Sequence, residues 1–423
     1  VTAVDSSAVA AAVADAHRRE WAFVLAATVR VTRDLDVAEE CVQDAFAGAL
    51  VDWRTRGIPS RPGAWLTTAA RRRALNVLRH RKVETRHLPL LVEDGVEPGP
   101  GDLVDDRPAD QIPDDRLRLV ATCCHPALDR PAQVALTLRL VCGLSTAEVA
   151  RAFLVSESTM AARITRAKKK IAVARIPYRV PPAAELPDRV DAVLAVVHLL
   201  FTTGHTTPAG ADLVRRDLVE RSVGLARMLR RLLPHDPAVA GLLALLLLTD
   251  ARRETRTAPG GRLLLLEEQD RSRWDRTAIT EGAALVREAL RARPPTRYAL
   301  QAAIAAVHAE SPTWGDTDWR EIVALYDLLT AVWPSPVVAL NRAVAVGFAQ
   351  GAAAGLAALD VLSGEPQLAG YGYFSAARAD LLRKLGRVDE ARSAYEEAVL
   401  LTGNAVERDF LARRLQALGP RQG

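Results

Sequence analysis

The chain has 423 residues, 49% hydrophobic and 25% charged, with a formal net charge of +5. That balance excludes a disordered or fibrous protein, and the length predicts two to four domains rather than one core. The mild basicity means that any nucleic-acid surface must be local, so the position of charge matters more than its total.

Nearly every segment longer than ten residues has helical spacing, and aromatic residues are only 5%, so the expected fold class is all-α. The first distinctive stretch is LDVAEECVQDAFAGALVDW (35–53). Helical periodicity puts Val37, Cys41, Ala45, Phe46 and Leu50 on a buried stripe and Asp36, Glu39, Glu40, Gln43 and Asp44 on an acidic face. A solvated helix would show the same face. Next, RTRGIPSRPGAWLTTAARRRALNVLRHRK (54–82) predicts a Gly/Pro loop leading to Trp65, then a helix bearing Arg71, Arg72, Arg73, Asn76, Arg79, Arg81 and Lys82. Cations beside an aromatic suit single-stranded or opening DNA, whose backbone needs positive charge and whose unstacked base needs a pocket. Trp53 and Trp65 read equally as core residues.

The stretch 83–115 carries ten carboxylates among scattered prolines and glycines, and is read as an extended acidic linker assigned to 83–112. Cys123, Cys124 and His125 follow; without CxxC spacing they read as small buried helix residues rather than a metal site. LSTAEVARAFL (144–154) then offers a capping box, with Ser145 and Glu148 three residues apart. VSESTMAARITRAKKK (155–170) starts after a tight turn, with Ser156 as its cap. Its apolar stripe is Met160, Ile164 and Ile171; Ser158, Thr159, Ala162, Arg163 and Arg166 lie on the other face. Two short helices with small residues at the N-terminus of the second form a DNA-reading helix-turn-helix. Arg163 and Arg166 can reach guanine edges or phosphates, and Lys168, Lys169 and Lys170 suit phosphates. The alternative is an αα-hairpin inside a larger helical domain, with lysines on a solvated helix end.

A Pro-rich stretch follows (176–189), then a long helical segment, 190–423. Its most apolar run, AVAGLLALLLLT (238–249), is shorter than the roughly 20 residues a membrane span needs and reads as a buried helix. EEQDRSRWD (267–275) is read as a charged, solvated helix end around a packed Trp274. LGRVDEARSAYEEAVLLTG (385–403) has a repeat-like pattern, with Gly386 at the turn, Ala391 at a close crossing, and Tyr395 and Ala398 in the second helix. A fainter copy is AQGAAAGLAALDVLSG (349–364). Neither TTGH (202–205), His308-Ala309-Glu310 nor DTDWR (316–320) has the spacing of a metal or nucleophilic site, so no enzyme activity and no cofactor are expected. The start of the chain lacks the pattern of a signal peptide, and the expected location is cytoplasmic, away from membranes.

The order AEECVQDAF, GAWLTTAARRRALNVLR, acidic linker, LSTAEVARAFLVSESTMAARITRAKKKI resembles the extracytoplasmic-function sigma factors of the bacterial sigma-70 class, over roughly residues 16–175. The remainder looks like the subgroup with a C-terminal tetratricopeptide-like extension. The resemblance implies region 2 over 1–82, a linker over 83–112, region 4 over 113–175, a Pro-rich linker over 176–189 and a regulatory domain over 190–423. It implies that Asp36, Glu39, Glu40, Gln43 and Asp44 bind bacterial core RNA polymerase. It places Trp65, Arg72, Arg73, Asn76 and Arg79 at the −10 element, with the Gly57–Gly63 loop holding a flipped base. Ser158, Thr159, Ala162, Arg163, Arg166 and Lys169 fall at the −35 element of promoter DNA. A regulatory protein or ligand would act at the C-terminal domain. Ser156 departs from the family pattern, where Pro is common. The rival reading is a one-component helix-turn-helix transcription regulator with a helical sensor domain, which leaves the motifs of 35–82 without a role.

Overall fold

The computed structural model describes residues 6–86, 115–153, 155–179, 181–182, 185–208 and 210–419. Most of the expected acidic linker, from residue 87, therefore lies outside the described residues. Among those described there are eighteen α-helices and only isolated β-bridges, so the chain is all-α as its periodicity predicts. It divides into two compact units, Val1–Val196 and Val197–Gly423.

The first unit begins with three long helices, α1 (Ser6–Thr32), α2 (Leu35–Arg56) and α3 (Pro62–Arg86). Asp34 caps α2 by accepting from the backbone N–H groups of Asp36 and Val37 at 2.8 and 3.1 Å. Gly57, at φ 85°, ends α2 in a conformation that costs an L-residue dearly. Trp53, Val42 and Leu66 are fully buried between these helices. The helix expected after the Gly/Pro loop starts earlier than that loop suggests. Pro62, pre-set for a first helical turn, opens α3, so Gly63 and Trp65 belong to the helix. A Cβ on Gly63 would stand 2.6 Å from the Glu20 carboxylate, which lies against this helix N-terminus.

The same unit continues with α4 (Asp115–Cys123), α5 (Arg130–Leu136), a π-helical turn (Thr137–Val141), α6 (Thr146–Ala152) and α7 (Glu157–Val173). These helices pack on the first three. Trp21 of α1 donates through Nε1 to the Leu140 carbonyl at 3.0 Å, a carbonyl in the π-turn. Gly143, at φ 70°, presses so close to Trp21 that a Cβ would meet the indole at 2.9 Å. Cys123 and Cys124 are fully buried, and burial raises both thiols, Cys124 to about 11; they are core, as their spacing suggests.

The second unit contains the C-terminal half of α8 (Leu186–His205), then α9 (Arg216–Leu232), α10 (Pro237–Asp250), α11 (Arg276–Ala289), α12 (Arg297–Glu310), α13 (Trp319–Val332), α14 (Pro336–Gln350), α15 (Ala352–Asp360), α16 (Gly372–Lys384), α17 (Val388–Leu401) and α18 (Ala405–Gln416). The apolar run 238–249 is α10, buried on nearly every side, and among the described residues no helix is long and apolar enough to cross a membrane. Helices α16 and α17 meet around Gly386 (φ 73°), with Ala391, Tyr395 and Ala398 buried in their core. The stretch 267–275 has its packed Trp274 and mostly exposed charges, but it forms two 3-10 turns and one of its arginines is an exception. Arg271 is buried, stacks 4.9 Å from the Trp274 ring and donates at 2.6 Å to the carbonyls of His308 and Ser311, tying the end of α12. Trp274 donates to Thr255 Oγ1 at 2.9 Å.

One close helix crossing in this unit is α10 on α12, where a Cβ on Gly241 would stand 2.6 Å from the Ala299 backbone nitrogen. Backbone cannot swing aside as a side chain can. Gly241→Val should therefore force the helices apart and cost about 1–3 kcal/mol, the range for overpacked cores. Gly224→Ala, with open space at its Cβ, should be neutral or slightly stabilising; thermal melts of the full chain compare the two.

Candidate polymerase and nucleic-acid interfaces

The expected helix-turn-helix is α6 and α7. Its capping box forms in full: the Glu148 carboxylate accepts from the Ser145 backbone N–H at 2.7 Å and from its hydroxyl at 2.8 Å, while Ser145 Oγ accepts from the Glu148 N–H at 3.2 Å. Ser156 caps α7, accepting from the Thr159 N–H at 3.2 Å. Substitution of the family's proline therefore leaves a sound cap. Met160, Ile164, Ala167 and Ile171 form the buried stripe of α7. Ser158, Thr159, Ala162, Arg166 and Lys169 are exposed on the opposite side. Arg163 is half-buried, its guanidinium 5.4 Å from the Phe153 ring centroid, a cation–π contact that holds the side chain at the rim of the same face.

The three lysines at the end of α7 do not act alike. Lys169 and Lys170 are exposed, whereas Lys168 points back into the unit. Its ammonium donates at 2.7 Å to both Asp36 and Glu39 of α2. Burial works against the Lys168 charge, but Glu39 and Asp36 outweigh it and raise its pKa. Only its two neighbours present their charge to the surface.

The acidic face of α2 is split in the same way. Asp36, Glu40, Gln43 and Asp44 are exposed, but Glu39 is 6% exposed. Its carboxylate is gripped by Lys168, by the guanidinium of Arg139 in the π-turn, and by Gln43 Nε2 at 3.3 Å. The helical period alone puts Glu39 with the solvent-facing acids; what removes it is tertiary packing. Leu50 shows the reverse error: expected on the buried stripe, it is 37% exposed. A second tie joins the two halves of the unit. The Tyr178 hydroxyl lies 3.0 Å from the Ala26 carbonyl and 3.2 Å from that of Asp115, and Asp115 pairs with Arg30 at 3.6 Å.

On α3, Arg72, Arg73, Asn76 and Arg79 are all exposed. Their spacing of three, four and seven makes one basic face. Arg73 pairs with Asp44 of α2 at 3.4 Å, so the basic and acidic surfaces adjoin. Trp65 is half-buried, edge-on to the buried Trp53 at 5.7 Å, one end packed and the other at the surface. The side chains of Arg81 and Lys82 lie outside the described residues. No group of three potential metal ligands occurs among the described residues.

Comparison with known proteins places family domains along the chain. Residues 17–83 match the family model described as Sigma-70 region 2, residues 118–171 match Sigma-70, region 4, and residues 189–290 match a family of unknown function, DUF6596. An uncharacterized protein of Rhizobium meliloti (strain 1021) is 42% identical over 394 residues, which cover 93% of each chain.

Glu39 is the one carboxylate of α2 whose loss strands buried cations. Glu39→Ala should destabilise the first unit by about 3 kcal/mol, the low end for breaking a buried ion pair, because exposed Asp36 still holds Lys168. Glu40→Ala, on the exposed face, should change stability by less than about 0.5 kcal/mol in the same denaturant titration.

Proposed function

Because the chain belongs to the sigma-70 family of transcription initiation factors, with region 2, region 4 and a DUF6596 domain, we propose that its promoter-recognition surfaces are the exposed faces just described. As a sigma factor it binds core RNA polymerase, recognises a promoter and allows initiation; it catalyses nothing itself. In our reading it is an extracytoplasmic-function member that works in the cytoplasm. Asp36, Glu40, Gln43 and Asp44 dock on polymerase, and Glu39 joins them once released. Trp65, Arg72, Arg73, Asn76 and Arg79 engage the −10 element as it opens. Ser158, Thr159, Ala162, Arg163, Arg166 and Lys169 read the −35 element. Residues 190–423 form a tetratricopeptide-like regulatory module, for which the turn at Gly386 and the buried Ala391, Tyr395 and Ala398 are the support.

The observation that carries this reading is the surface of α7: short polar side chains and a methyl at its capped N-terminus, arginines one and two turns on, and a fully apolar reverse face. Short side chains let the helix approach base edges, and arginine is the residue that forks onto guanine. The one-component regulator would use the same helix, but it gives no task to 17–83, which matches region 2.

The tie between α2 and α7 adds a step. Two promoter elements about two helical turns apart lie roughly 70 Å from each other along the duplex. The thirty residues assigned to the linker, 83–112, have a contour length of up to about 100 Å, sufficient to bridge them. Region 4 must leave α2 for both elements to be engaged, and its departure uncovers Glu39. On this account polymerase cations and region 4 cations compete for the same carboxylates of α2.

Run-off transcription with core polymerase tests the assignment. Arg166→Ala should lower output from a −35-dependent promoter about tenfold, equivalent to about 1.4 kcal/mol, and leave core binding intact. Lys169→Ala should weaken all promoters alike and reduce the salt slope by about one. Initiation that does not require core polymerase contact, or an Arg166→Ala variant with full promoter selectivity, would overturn it. Lys168→Met, which loosens the closed arrangement without touching the exposed face of α7, should speed association with core polymerase several-fold in stopped-flow or surface-binding traces.

A further inference from the structure

The second unit contains a partly open cavity of about 480 Å³, within the size range of small-molecule sites. Its walls come from α8, α10, α12, the end of α13 and the start of α14. Most of the lining is apolar, including Leu245, Leu248, Ile304 and Leu329, with Trp274 and Trp333 as aromatic surfaces. One permanent charge enters it: the guanidinium of Arg252, two residues beyond the end of α10.

Arg252, half-buried, is unlike the buried arginines of this unit. Arg256 donates to the His205 carbonyl and to Thr206 Oγ1, and Arg271 to the carbonyls of His308 and Ser311. No side-chain hydrogen bond or ion pair with a described residue engages Arg252, so capping of the α10 carbonyls does not account for it. Burial alone lowers its pKa, to about 10, and no described carboxylate raises it again. At neutral pH it is still a cation. Its neighbours make matters worse: Arg252 repels the charged forms of His205, His308 and Arg256, each of which burial already disfavours. Half-buried and with no carboxylate partner among the described residues, Arg252 offers its charge at the cavity wall, where an anion would be attracted more strongly than in open water.

Two further donors face the same space. Burial raises the Tyr326 hydroxyl to about 12, so it stays protonated, and the exposed Asn341 is also among the lining residues. The two histidines of the lining, His198 and His308, are lowered to about 4, His198 by burial and then by Arg297, His308 by burial and then by Arg252. They are neutral at pH 7, so the cavity offers one positive charge, not three. That favours a monoanion over a phosphate, which carries closer to two negative charges. A planar carboxylate also matches the guanidinium fork.

We propose that the second unit binds a small amphipathic carboxylate in this cavity, its carboxylate on Arg252 with Tyr326 and Asn341 as further donors, its apolar body against Trp274 and Trp333. This deepens the regulatory role proposed for 190–423 and rests on that reading only for its consequence in transcription. Binding is measured without polymerase, so its failure would leave the promoter assignments untouched.

The experiment is calorimetric titration of the full chain with 4-phenylbutyrate, octanoate and salicylate, each set against its neutral amide. At least one acid should bind ten or more times more tightly than its amide. Arg252→Gln should bring that ratio to within twofold, and Ala305→Phe, which fills the cavity from its α12 wall, should abolish binding while the helical circular dichroism stays intact. Absence of binding by all three acids would overturn the proposal, as would equal affinity for acid and amide, or an unchanged ratio in Arg252→Gln. Inorganic phosphate displacing the acid at equal concentration would overturn the monoanion assignment. Should Arg252→Gln fail to fold, the acid-to-amide ratio of the natural chain and the Ala305→Phe variant still decide.

Discussion

A single carboxylate, Glu39, sets the arrangement of the first unit. It is held by Arg139 from the π-turn and by Lys168 from α7, and it sits where water cannot replace either partner. Such a cluster adds little net stability, because desolvating three charges consumes most of what their attraction returns. Its effect is on register: α7 can sit on α2 in few ways that satisfy both cations at once. The close approach of Gly143 to Trp21 and the hydrogen bond from Trp21 to the Leu140 carbonyl hold the same two halves together. Marginal net stability with sharp geometry is what a contact needs if it must form in the free protein and yield to a partner. A wholly apolar interface of the same size would be harder to open, and would expose sticky surface once opened.

Sequence periodicity and capping chemistry recover the fold class, the helix-turn-helix and its buried stripe because those are local. Ser145 with Glu148, and Ser156 before α7, announce helix starts through bonds that span three residues. The buried run of α10 is equally plain, since apolar residues on all faces leave no exposed side. Where the reading fails, the deciding contact comes from far along the chain. Glu39 looks like Asp36 and Glu40 until Arg139, a hundred residues on, is brought against it. Lys168 looks like Lys169 for the same reason. Arg271 looks solvated until the carbonyls at the end of α12 claim it. Leu50 and Trp65 differ in kind: each lies at the edge of its helix stripe, where a rotation of a few tens of degrees exchanges core for surface.

The candidate DNA surfaces were legible because nucleic-acid recognition needs exposed cations in a local pattern, which one helix can supply. The cavity of the second unit was not legible. Arg252, Tyr326 and Asn341 come from three separate elements, and none carries a motif. A weak signal existed: this unit is rich in arginine, so any arginine lacking a nearby acid stands out only once the packing is known. His198, Thr202 and His205, at helical spacing on α8, hinted that one face of that helix was not ordinary core.

Fusion constrains how a regulatory module can work. A separate inhibitor controls its target by concentration and can be destroyed or diluted. A tethered one stays at an effective concentration of about a millimolar whatever its expression level. Dilution cannot switch it, so the switch has to be a change in the module's own state. That requires two states of similar free energy and an agent that binds one of them better. On the proposal above, Arg252, a half-buried cation with no carboxylate partner among the described residues, is the group through which a bound anion would favour one state over the other. A bound anion would touch α8, α10 and α12 together, since all three wall the cavity, and α10 and α12 cross closely at Gly241. A ligand there would thus act on the packing of the whole unit rather than on one loop.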